Sequence, residues 1–263
     1  MPLSINTNIA SLTAQRSFLN SNSALETAFE RLSTGKRINS ASDDAAGLAI
    51  ATELNSRVSG LNQAVRNVND GISMVQIMEG TYDEVTSILQ RMRDMAVQAA
   101  NGSLSATEQG YLETEQTALQ SALNDALEQA TFSNIDLADN TSASVISISI
   151  QAGSNTGDAV SIALTSANAS NASGLGITAI DLSSAATAAI GLADAAIGIV
   201  ASQRAQLGAY QSQLESTVRN LSNVAENTAA AAGRIMDTDY AAETANLTKA
   251  QILQQAATSV LAQ

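Results

Sequence analysis

Apolar positions near the start of the chain fall at Ile5, Ile9, Leu12, Leu19, Leu25, Phe29 and Leu32. Their gaps of 4, 3, 7, 6, 4 and 3 residues trace one stripe of a long helix interrupted by polar side chains. The stripe stops before Gly35, which suits a helix C-cap. Lys36 and Arg37 follow, and a Ser/Asn/Asp-rich segment leads to Asp43 and Asp44. Two carboxylates directly ahead of an apolar-periodic run suit the positive end of a helix dipole.

That run carries the clearest pattern in the chain. Leu54, Val58, Leu61, Val65, Val68, Ile72 and Val75 alternate gaps of 4 and 3, the spacing of a coiled-coil seam. The seam continues through Met78, Tyr82, Val85, Leu89, Met92 and Ala96. Consecutive gaps of 3 around Val75 predict a stammer that locally overwinds the supercoil. Asn101 and Gly102 end this helix. Ser105 with Glu108 reads as a capping box opening a third helix, whose apolar positions are Leu112, Leu119, Leu123, Leu127 and Ala130.

Between residues 131 and 184 charges thin out and Ser, Thr, Asn and Gly dominate. Ile146, Ile148 and Ile150 alternate with Ser147 and Ser149, and Val160, Ile162 and Leu164 repeat the alternation after a glycine-bearing loop. The pattern predicts a β-hairpin near 144–165, followed by a short exposed connector over 166–187. Helical spacing resumes at Ile190, Ala193, Ile197, Val200, Arg204, Leu207, Gln211, Leu214, Val218, Leu221 and Ala225. From Ile190 to Ala225 that is about 54 Å of helix. A last amphipathic segment, from about Ala241 onward, carries Leu247, Ile252, Leu253, Val260 and Leu261.

Composition narrows the chemistry. The 263 residues are 45% hydrophobic but 3% aromatic, with one proline and no cysteine, histidine or tryptophan. Such a chain offers no thiol nucleophile, no Ser-His-Asp triad and no imidazole metal site. A formal charge of -13 argues against nucleic acid, which rewards clustered Lys and Arg. No uncharged run of about 20 mostly apolar residues occurs, so no membrane span is expected. The first residues have neither the basic nor the apolar region of a secretory signal peptide.

With so few rings, long helices packed through narrow stripes are easier to build than a broad core. The reading is a mainly α fold: an elongated rod of long antiparallel helices with coiled-coil packing and a small β-hairpin. Residues 1–42 and 236–263 are expected to pair as an inner domain, and 43–235 to form the helical rod. A paired helix arm cannot cover both its flanks, so the terminal arms should order fully only when other chains cover them. Arms of that kind describe a polymer subunit.

Several segments resemble bacterial flagellin. At the N-terminal end these are Ser4 to Asn8, Glu30 to Ile50, Gly60 to Ala64, Arg66 to Ser73 and Leu89 to Asn101. At the other end they are Arg234 to Tyr240, Lys249 to Ala256 and Ser259 to Gln263. The resemblance covers roughly 1–135 and 188–263, most of the chain. The family's usual Phe-Asn-Gly after the third helix is Phe132, Ser133, Asn134 here, its variable outer region shrinks to about 141–187, and its chains usually run about a dozen residues further, ending in another apolar turn.

The resemblance implies a structural subunit that self-assembles into the helical flagellar filament, without catalysis, cofactor or metal. It implies export through the flagellar type III apparatus to the extracellular filament, with a cytosolic export chaperone. It further implies contacts with the flagellar cap and hook-associated junction proteins, and reading by the vertebrate Toll-like receptor for flagellin. A hook-filament junction protein of the hook-associated type and a soluble coiled-coil adaptor are the competing readings. Neither nucleic acid nor membrane is expected as a partner. Gln90, Arg91, Met95 and Glu115 are the residues of the implied subunit-contact and receptor face, with Met95 standing where a leucine is common.

The remaining constellations favour structural roles. The pairs Asp43/Asp44, Glu113/Glu115 and Asp237/Asp239 lack any sign of a pocket that would split two pKa values. The first suits helix capping, and the last suits partnering basic residues. Arg31, Lys36, Arg37 and Arg57 suit pairing with acidic surfaces of neighbouring subunits.

Overall fold

The structure, a computed structural model, describes residues 9–138, 145–165, Leu175, Leu182 and residues 185–262. Among them five helices and four strands follow in the order α1 (Ile9–Thr34), α2 (Ala45–Ala99), α3 (Ala106–Glu128), β1 (Thr131–Phe132), β2 (Ile135–Asp136), β3 (Val145–Gln151), β4 (Ala159–Thr165), α4 (Ala186–Met236) and α5 (Tyr240–Ala262). Long helices at coiled-coil spacing with one principal hairpin are what the periodicities predict. Ile5, the side chains of Val260 and Leu261, and most of the Ser/Thr-rich segment 141–187 lie outside the described residues.

Helix ends form where the sequence supplies caps. Gly35 adopts φ +70° and its N–H donates to the Arg31 carbonyl at 2.9 Å, closing α1. Asp44 Oδ1 accepts from the Gly47 N–H at 2.9 Å and opens α2. Asp43 Oδ2 accepts from the N–H groups of Ser40 and Asn39 and shapes the loop before it. These bonds hold its carboxyl below the ordinary value: first the Ser40 N–H, then the Asn39 N–H and Ser40 hydroxyl, with a smaller part from Arg31. Ser105 and Glu108 form the predicted capping box on α3. Asp239 Oδ1 accepts from the Ala241 and Ala242 N–H groups and opens α5. Asp239 therefore caps a helix, correcting its expected pairing with a basic residue.

Contact density separates two compact units, Gly60–Asn223 and Met1–Ser59 with Val224–Gln263. In the first, α2 runs antiparallel to α4. Arg93 pairs with Asp194 at 2.6 Å and Arg204 with Asp83 at 3.1 Å, ten residues apart along each helix. Along α2 the buried line is Leu61, Ala64, Val68, Gly71, Val75, Met78, Tyr82, Val85, Leu89, Met92, Ala96 and Ala99. It alternates gaps of 3 and 4 without a break, so the expected stammer at Val75 is absent. Val65 and Ile72 are half-buried flanks instead of seam residues, while Leu54 and Val58, in the other unit, are half-buried with no more buried row beside them. On α4 the line is Ala189, Ala193, Ala196, Val200, Gln203, Leu207 and Leu214. Ile197 is half-buried beside it, Val218 and Leu221 are half-buried on its continuation past Leu214, and Arg204 lies off it in its ion pair. At Ala64 and Gly71 small side chains take the seam in place of Val65 and Ile72, and at Gly71 the reason is the close approach of the hairpin.

The hairpin shows that approach directly. Ile150 pairs with Val160 and Ile148 with Ile162 across an antiparallel register. Asn67 Nδ2 donates to the Gln151 carbonyl at 3.3 Å. A Cβ on Gly60 would stand 3.0 Å from Ser154 Cβ, and one on Gly71 would overlap Ile150. Gly60, Asn67 and Gly71 thus form one stripe of α2 under the hairpin, and Tyr210 Oη accepts from the Ala163 N–H. The expected exposed connector is corrected at two points. Leu175 and Leu182 are buried in the helical core, and the Leu182 N–H donates to Glu113 Oε2 at 2.8 Å. The first part of α4 is long and apolar enough to cross a membrane by length and composition. Its Ala193, Ala196 and Val200 are buried in the bundle, and Asp194 is paired with Arg93.

In the second unit, α1 pairs antiparallel with α5. Asn22 Oδ1 accepts from Gln254 Nε2 at 3.1 Å. The pair buries Ser21, Ala28 and Ala250, again the small residues.

Candidate assembly surfaces

One candidate surface is built where α2 lies alongside α3. The Arg91 guanidinium donates from Nε and Nη2 to Glu115 Oε1, at 3.1 and 2.7 Å. Both side chains are about half exposed, 56% and 44%, and Gln90 is exposed next to them. Three of the four expected residues therefore share one solvent-facing patch. Met95 does not. It is 1% exposed in the helical core, which corrects its expected place on the face. The physical reason is that α2 has two partners at this level, α3 through Arg91 and α4 through Arg93. Its buried stripe widens to include Ile88 and Met95 beside the main seam.

The exposed Arg91–Glu115 pair adds little to folding, because such pairs are worth about 0–1 kcal/mol in water. A patch of this kind is available for contacts and is not needed for the core. The Arg93–Asp194 pair differs in linking two helices of the bundle. The Asp194 carboxylate, bonding to the guanidinium, raises the Arg93 pKa further.

The other candidate surface lies on the α1–α5 pair. Ile9, Leu12, Leu19 and Phe29 on α1 are 71%, 54%, 67% and 51% exposed, and Ile252 and Leu253 on α5 are 60% and 48% exposed. A helix pair that buries alanine and serine while leaving these side chains in water has an unfinished surface. Where the chain passes between α1 and α2, the Arg37 N–H donates to the Met236 carbonyl at 2.6 Å and its Nη2 to the Ile235 carbonyl at 2.8 Å. The Thr238 N–H donates to the Gly35 carbonyl at 3.1 Å. Arg37 is thereby committed within the chain, against its expected role toward neighbours. Lys36 and Arg57 are exposed and form no ion pair among the described residues.

Five of the six carboxylates singled out by the sequence have structural work. Asp43, Asp44 and Asp239 cap or shape helix starts, Glu113 holds Leu182, and Glu115 holds Arg91. Among the described residues no group of three or more metal-ligating side chains converges. Sequence reasoning missed the short β1–β2 hairpin, whose turn residues Ser133 and Asn134 have φ 47° and 68°. Asn134, tolerant of that left-handed region, was its one signal.

Residues 5–143 match the family described as the bacterial flagellin N-terminal helical region, and residues 190–263 match its C-terminal helical region. Flagellin A of Vibrio cholerae is 36% identical over 369 aligned positions, covering 100% of this chain and 97% of that protein. Polar flagellin F of Vibrio parahaemolyticus is 35% identical over 364 positions with the same coverage. Since this chain has only 263 residues, the remaining aligned positions are residues those relatives carry and it lacks. The crystal structure of Bacillus cereus flagellin is 26% identical, with a TM-score of 0.49, over 64% of this chain and 94% of that one.

Proposed function

The chain belongs to the bacterial flagellin family, and on that premise we propose how this structural subunit builds its filament. Its role is structural, a component of the flagellar filament that serves motility, and it is not an enzyme. One observation carries the finer reading: the apolar side chains left in water on α1 and α5. Burying a Leu, Ile or Phe side chain contributes about 1.5–3 kcal/mol, so covering this stripe with neighbouring copies supplies a strong drive to polymerise. In this reading residues 1–42 with 236–263 form the inner terminal-helix domain and 43–235 the helical rod domain. Gln90, Arg91 and Glu115 form a lateral contact patch, which is also the surface a vertebrate Toll-like receptor for flagellin would read.

The same exposed arms suit export. Helices that bury few large side chains unfold readily for passage through the flagellar type III apparatus, and the α5 stripe offers a cytosolic chaperone an apolar handle. The finished subunit is then secreted and extracellular, meeting the cap and hook-associated junction proteins at the filament ends. The test is seeded polymerisation of purified protein with amide hydrogen exchange in both states. Backbone amides of α1 and α5 should exchange fast in the monomer and slowly in filaments. Equal protection in a verified monomer, or failure to elongate filament seeds, would overturn the reading.

A further inference from the structure

A cleft of about 460 Å³ opens between α1 and α5, lined by Asn20, Arg31, Glu243, Asn246, Lys249 and Leu253 among others. Its charges are poorly matched. Arg31 Nη1 stands 3.9 Å from Glu243 Oε2, too far for a hydrogen bond. Arg31 Nε is buried and donates to nothing, while Glu243 is only 7% exposed. On its far side Arg31 faces a smaller recess with Arg37, Asp43 and Asp44. The Asp43 and Asp44 carboxylates there already accept backbone N–H groups. A part-exposed guanidinium with one idle N–H and only a long contact to its carboxylate, beside a second cation and an open space, is a receptor for a carboxylate.

We propose that this cleft receives a carboxylate side chain from a second copy of the chain, held by the part-exposed end of the Arg31 guanidinium and the Lys249 ammonium. The proposal rests on filament assembly and specifies one of its contacts. Charge complementarity points to that occupant. The cleft carries two cations against one carboxylate, whereas the chain as a whole has net charge -13, so a neighbouring copy presents acids in excess. Asn20 and Asn246 offer amide N–H groups around the incoming oxygen atoms, and half-exposed Leu253 gives its stem an apolar wall. Glu243 is the local competitor for Arg31, and it sets the sign of the test.

The experiment measures the critical concentration for seeded elongation of wild type, Arg31→Gln and Glu243→Gln, with amide exchange of each monomer. Arg31→Gln should raise the critical concentration at least tenfold without changing exchange in α1 and α5. Glu243→Gln removes the competing charge and should lower it. If Arg31 and Glu243 only tie α1 to α5 within one chain, both variants raise it and both loosen the monomer, which overturns the proposal. Unchanged values for both variants overturn it as well. So does inorganic phosphate slowing exchange in the wild-type monomer but not in Arg31→Gln, since the cleft would then take free anions. Should wild type itself fail to elongate seeds, it is the filament reading that falls.

Discussion

Adding one methyl group at Gly71 separates intrinsic helix preference from seam packing. In an exposed helix interior, Gly→Ala stabilises by up to about 1 kcal/mol. Gly71 is buried, and a Cβ there would overlap Ile150 Cδ1, lie 3.4 Å from Ile150 Cγ1 and reach Leu214 Cδ1 at 3.6 Å. Ile150 is 6% exposed on β3, so its side chain has little room to retreat. Overpacking of this kind destabilises by about 1–3 kcal/mol, which outweighs the propensity gain. Gly80, on the same helix, would meet nothing within 4 Å, so Gly80→Ala keeps the whole gain. The two variants should differ by about 1–3 kcal/mol, at about 2–4 °C in Tm per kcal/mol for a chain of this size. Monomer melting followed by circular dichroism reads the difference. Ile150→Val removes the overlapping atom, so in a double-mutant cycle it should cost less alongside Gly71→Ala than alone. If Gly71→Ala stabilises as much as Gly80→Ala, the hairpin does not rest on this stripe.

The same register makes Val68→Asp severe and Val65→Asp mild. Val68 is fully buried and Val65 only half-buried, and an unpaired buried carboxylate costs several kcal/mol; urea unfolding with equal losses for both would put the seam elsewhere. Arg91→Ala should shift monomer melting by no more than about 1 kcal/mol while raising the critical concentration for assembly. A variant that melts many degrees lower but polymerises normally would move Arg91 into the fold. Glu108→Gln keeps the capping box but removes its titration. The Ser105 N–H, then the Ser105 hydroxyl, hold the folded carboxyl below its ordinary value, so its contribution is present above the unfolded pKa of about 4.3 and is lost as pH falls through the folded value. Wild type and Glu108→Gln should therefore diverge in stability above that pH and converge below it, and a constant offset would refute the sign.

What the sequence made legible was mostly local, although the β1–β2 turn at Asn134 and the Asp239 cap were local features that it missed. The Gly35 cap, the Ser105 and Glu108 capping box, the Asp43 and Asp44 helix start, the 4-3 spacing of α2 and α4 and the alternating isoleucines of β3 were all readable from neighbouring residues. Choosing the larger hydrophobe at each turn led the seam astray. Val65 and Ile72 outrank Ala64 and Gly71 on any hydrophobicity scale, yet the smaller pair is buried. Periodicity alone does not say which of two adjacent rows faces the partner. The partner's distance decides, and that distance is set by the hairpin resting on Gly71. Met95 failed for a related reason, since its burial depends on α3 returning beside α2 at the level of Arg91. Leu175 and Leu182 sat in a polar stretch with no period, so nothing local marked them as anchors.

The two units differ in what they bury. The seam of the first mixes small residues such as Ala64, Gly71 and Ala96 with Met78, Tyr82, Leu89, Met92 and Leu214, whereas the fully buried positions of the α1–α5 pair include Ser21, Ala28 and Ala250. On α1 and α5 Phe18, Leu25, Leu32 and Leu247 are half-buried beside them, while Ile9, Leu12, Leu19, Phe29, Ile252 and Leu253 stay exposed. In an ordinary monomer such a choice is wasteful, because a buried alanine removes far less apolar area from water than a buried leucine. It becomes favourable when the large side chains have a second destination. Close-packed small residues fix the geometry of the helix pair, and Leu12, Leu19, Phe29 and Ile252 stay available for neighbouring copies. The energy that would have made a more stable monomer is thus held for the polymer. Substituting Ala28 by leucine should consequently force α1 and α5 apart, and should reduce assembly more than it reduces monomer helicity.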